Sequence, residues 1–95
     1  MGDKITTLKT ELVEYMPEKK EPGVIYVSHR FELAIHLCAC GECNQETVTD
    51  FGSWKQSWTL TLDAENRASL HPSIGNFQFS CRSHYWVKNG EVIWC

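Results

Sequence analysis

The chain reads as a mainly β protein, a small antiparallel domain built around a zinc site, with a possible short N-terminal helix. Three observations predict this. Short runs rich in β-branched and aromatic residues recur along the sequence, and turn signals separate them. In one place, HLCACGEC (His36–Cys43), four soft metal ligands fall within eight residues. At 95 residues the chain makes a single domain, 1–95, because a chain of this size has no room for a second core.

The elements follow in order. ITTLKTELVEYM carries Ile5, Leu8 and Leu12 at helical spacing but also the Thr and Val of a strand, so both readings stay open. Glu21-Pro22-Gly23 closes this lead-in. VIYVS (24–28) and FELAIHLC (31–38) are strands, and in the second one Glu32, Ala34, His36, Cys38 and Cys40 share a face. ETVTDF and SWTLTLD are strands separated by a turn at Gly52-Ser53, and Ala64–Arg67 makes the next connection. ASLHPSIGNFQFSC is a strand broken by Pro72 and Gly75. HYWVKNGEVIWC is the clearest hairpin, since Asn89-Gly90 suits a type I′ turn.

Composition narrows the function. Twelve acidic against nine basic residues, a net charge of −3, argues against a nucleic-acid partner, whose phosphates call for an excess of Lys and Arg. No apolar run approaches the roughly 18 residues of a membrane span, and MGDKITTLKTEL lacks the apolar core of a signal peptide. The expected location is the cytoplasm. Disulfides are uncommon there, so Cys38, Cys40, Cys43, Cys81 and Cys95 read as thiols or thiolates.

Zinc takes about four N or S ligands, often as two short-spaced pairs joined by the fold. One pair comes from Cys38, Cys40 and Cys43, where Cys40-Gly-Glu-Cys43 is a C-x-x-C knuckle. The other is Cys81 with His84 in CRSH. With His36 there are six candidates for at most four places, which leaves some for other work. His36 is the candidate proton carrier. Ser73 in HPSIGN could offer its hydroxyl and neighbouring backbone N–H groups to an oxyanion, although the same residues suit an ordinary loop. Ser83 would support the metal shell, and Trp54, Trp58, Trp86 and Trp94 read as core and rim aromatics. Cys95 is the weakest ligand and His29 is expected to be exposed.

Taken together, EPGVIYVS, AIHLCACG, WTLTLD, PSIGN and CRSHYWVKNGEVIW resemble the small Cys/His-rich bacterial domain family found beside genes for ubiquitin-like proteins and their E1- and E2-like enzymes. The resemblance spans roughly residues 12 to 94. It implies a zinc-dependent peptidase that processes or deconjugates a ubiquitin-like protein in an anti-phage pathway, with that protein or its conjugate as partner. It further implies His36, Cys38, Cys40, Cys81 and His84 as metal-site residues, with the Ser73–Asn76 loop close by. The family pattern reads CxCGC, whereas this chain has Cys40-Gly-Glu-Cys43, so the place of Cys43 is open. HExxH is absent, so Glu42, Glu32 or His36 would serve as base. The expectation is therefore zinc-bound water attacking a peptide or isopeptide carbonyl, with His36 and Ser73 as catalytic residues. The competing expectation is a non-catalytic zinc-stabilised module that binds a protein partner.

Overall fold

The computed structural model describes residues 4–52, 58–76 and 81–95. Among the described residues eight strands form two four-stranded sheets. The first has the order β1 (Lys9–Leu12), β2 (Val24–Ser28), β3 (Leu33–Leu37), β4 (Glu46–Asp50), and the second β5 (Thr59–Leu62), β6 (Ala68–Asn76), β7 (Ser83–Lys88), β8 (Glu91–Trp94). The lead-in is strand and not helix. Its backbone continues to hydrogen-bond beside β2, in a parallel pairing that, among the described strands, is the one departure from an antiparallel scheme. Among the described residues there is no helix long and apolar enough to cross a membrane.

Side-chain alternation decides which faces meet, although β2 and β3 are buried on both faces. Ile25 and Val27 of β2, Ala34 and His36 of β3, Leu70 and Ile74 of β6, and Tyr85 and Val87 of β7 turn inward. Each large aliphatic buried there contributes roughly 1.5–3 kcal/mol of transfer free energy. Polar bonds also cross between the sheets: His36 Nε2 lies 2.7 Å from the Tyr85 hydroxyl, and Asn76 Nδ2 donates to Thr47 Oγ1 at 3.0 Å.

The segment before β1 closes one seam. Leu8 N–H donates to Gly90 O (2.7 Å) and Val92 N–H to Thr6 O (2.9 Å), after which the chain passes to β2. The β7–β8 turn has the positive φ angles expected of it, 50° at Asn89 and 78° at Gly90.

The strand read as broken at Pro72 and Gly75 is continuous, with an irregularity inside it. Leu70 pairs with Val87 and Ile74 with Tyr85, so His71, Pro72 and Ser73 together stand opposite the single residue Trp86. Such a bulge re-aims side chains without ending the strand. The FQFS part of that run, Trp54 and the Ser53 end of the expected turn lie outside the described residues.

Candidate functional site

Two constellations meet at the start of β7. The first is made of sulfur. The Sγ atoms of Cys38, Cys40, Cys43 and Cys81 all lie within 4.8 Å of one another. The separations are 3.4 Å for Cys40–Cys43, 3.6 Å for Cys38–Cys81 and 3.7 Å for Cys43–Cys81. A tetrahedron of about 2.3 Å metal–sulfur bonds has edges of about 3.8 Å, so the four sulfurs fit one ion. Gly41, at φ 78°, supplies the turn of the knuckle. Donors aim at the sulfurs as they do at thiolates: Glu42 and Cys43 N–H at Cys40, the Ser83 hydroxyl at Cys81 (3.2 Å), and Asn76 Nδ2 at Cys38 (3.3 Å). Burial pushes the Cys43 thiol up to about 12, aided by the neighbouring thiols. At Cys81 burial also raises the thiol, but hydrogen bonds from the Ser83 side chain and backbone outweigh it and bring it down to about 7.

Of the six residues expected as ligands, four lie together. Cys38, Cys40, Cys43 and Cys81 come together, Cys43 included despite the extra residue in its spacing. His36 and His84 stand outside the cluster. His36 is fully buried between the sheets, with Nε2 2.7 Å from the Tyr85 hydroxyl. Desolvation lowers its pKa to about 4. Its partner Tyr85 also takes hydrogen bonds from Asn76 Nδ2 and Ala39 N–H, and burial raises the phenol.

The second constellation is a hydroxyl and an imidazole. Ser73 Oγ lies 2.8 Å from His84 Nε2. The β6 bulge delivers the serine. Alternation on β7 turns His84 outward, while Ser83 and Tyr85 on either side of it are buried. Gly75 pairs directly with His84 across the ladder. His84 also lines a cavity of about 540 Å³ together with Glu42, Cys81, Arg82 and Trp94. Glu32 instead sits in the β2–β3 turn at φ 54° and is exposed.

Residues 12–95 match the family described as the bacterial ubiquitination-like system serine protease, BubE. The chain belongs to that family. No curated protein and no solved structure is significantly similar to it.

BubE membership supports a protease in a ubiquitination-like pathway and overturns the zinc-dependent chemistry expected from the sequence, because the family is one of serine proteases. The sequence reading gave His84 to the metal because C-x-x-H is a chelating spacing. The resemblance placed the Ser73–Asn76 loop near that site, but the bulge that sets Ser73 Oγ 2.8 Å from the imidazole is not written in the spacing.

Proposed function

We propose that the chain is a serine peptidase of the BubE family in which Ser73 is the nucleophile and His84 its general base, acting on the tail or a conjugate of a ubiquitin-like protein. The 2.8 Å contact between Ser73 Oγ and His84 Nε2 is the observation that carries this reading. His84 takes the hydroxyl proton as Oγ attacks the scissile carbonyl. It then gives that proton to the departing amine as the carbon–nitrogen bond breaks, leaving an acyl group on Ser73. Water, deprotonated by the same imidazole, attacks the ester and releases the carboxylate, restoring the hydroxyl. The partner assignment rests on the ubiquitination-like system to which the family belongs.

In this reading Cys38, Cys40, Cys43 and Cys81 would hold a zinc ion whose contribution is structural, since four thiolates fill a tetrahedral shell. Cys81 lies three residues before His84, so an ion there would fix the start of β7 and with it the imidazole.

The test is direct. Ser73→Ala and His84→Gln should each lower turnover of a tail-extended ubiquitin-like precursor by a factor on the order of 10³ or more, with the folded β signature kept in circular dichroism. A fluorophosphonate should label wild-type protein at Ser73 and fail on Ser73→Ala. A folded Ser73→Ala protein that turned over substrate at the wild-type rate would remove the proposal.

A further inference from the structure

The outer face of the second sheet carries a groove of about 440 Å³ that the chemistry above leaves unused. Its floor includes His71, Trp86 and Ile93, with Thr59 and Thr61 along one side. Trp86 and Ile93 are cross-strand partners and are 39% and 45% exposed, a large apolar surface to leave in water. The His71 ring lies against Trp86 with centroids 5.7 Å apart. Among the described residues no carboxylate lines the groove, and the charged side chain on its wall is Lys88.

The position of the groove gives it a role. His84 and Trp86 alternate on the same face of β7, so Trp86 stands about 6.6 Å further along the strand. Ser73 belongs to the bulge that stands opposite Trp86 itself. An extended substrate advances about 3.3 Å per residue, so a side chain one or two residues from the scissile carbonyl falls onto the indole. A cationic side chain would meet Lys88 and, among the described lining residues, no acidic group, whereas an aliphatic or aromatic one would bury Trp86 and Ile93.

We infer that Trp86 and Ile93 form a specificity subsite, which receives a bulky apolar side chain of the polypeptide substrate within two residues of the bond cleaved. This rests on the assignment of Ser73 and His84 as the catalytic pair.

Acyl-chain length tests it without knowledge of the natural substrate. With p-nitrophenyl acetate, butyrate and hexanoate, Ser73 would take the acyl group, p-nitrophenolate would leave, and water would regenerate the enzyme. For the wild type, kcat/KM should rise about tenfold or more from acetate to hexanoate, since each buried methylene adds to binding. Trp86→Ala and Ile93→Ser should each cut that ratio to about threefold or less. Val48→Ser, at an exposed apolar position on the other sheet, should leave it unchanged. Because the readout is a ratio, partial misfolding of a variant cancels. A flat wild-type series, or a ratio unmoved in both variants while hydrolysis still needs Ser73, overturns the subsite and leaves the catalytic pair standing. Hydrolysis equally fast in Ser73→Ala removes the catalytic reading and the subsite with it.

Discussion

Gly75 and His36 show how differently two residues near the same chemistry can act. Gly75 is exposed and is the cross-strand partner of His84, so any side chain placed there would stand about 5 Å from the imidazole's own Cβ, where substrate must lie. Gly75→Val is expected to lower kcat/KM at least about tenfold while leaving the thermal midpoint within a few degrees, as read by steady-state kinetics beside a melting curve. His36 is the opposite case, buried and remote from solvent, and its effect is on stability. Its folded pKa of about 4 lies below the ordinary 6.5. Between those values the unfolded chain takes up a proton that the folded chain refuses. Stability should therefore be complete above pH 6.5, fall as the pH drops towards 4, and level off below, a loss of about 3 kcal/mol in all. Denaturant titrations at several pH values check this, and His36→Gln should remove that part of the slope. The sequence showed His36 on one face with Cys38 but could not show that the face pointed at Tyr85.

Strands were legible in this sequence where alternation and turn chemistry agreed. The β7–β8 hairpin was the clearest, because Asn89-Gly90 supplies the positive φ angles that a two-residue turn needs. Gly90→Ala is expected to cost about 1–2 kcal/mol in chemical denaturation, since φ is 78° and a Cβ there would come within 3.3 Å of the Leu8 carbonyl oxygen. The lead-in was not legible. Its apolar spacing fits a helix, and distant backbone groups, among them those of Ala39, Gly90, Val92 and β2, hold it extended. β6 misled for a related reason. Proline and glycine signal a break, yet β7 pairs on both sides of the irregularity and holds the strand together.

Across the whole molecule, the crowding of cysteines was plain from spacing, but the division of labour was not. Cys38, Cys40 and Cys43 sit beyond the end of β3, while Cys81 sits just before β7 in the other sheet, so a metal held by all four would clamp the two sheets at one end. Removing it with a strong chelator, or changing Cys81→Ser, should lower the thermal midpoint and shift tryptophan emission together with any loss of peptidase activity. A chelator that stopped activity with emission and melting unchanged would contradict a structural role for the ion. The bulge in β6 has a further consequence for how such a protein could arise. Between the pairs Leu70–Val87 and Ile74–Tyr85, β6 has three residues where β7 has one, an excess of two. An even excess preserves parity, so Leu70 and Ile74 both still face the core. Deleting Pro72 and Ser73 together should return a regular ladder with the interior undisturbed. An inert ancestor of this sandwich could thus have acquired its nucleophile through one six-nucleotide insertion, and the reverse deletion would yield a stable, inactive scaffold.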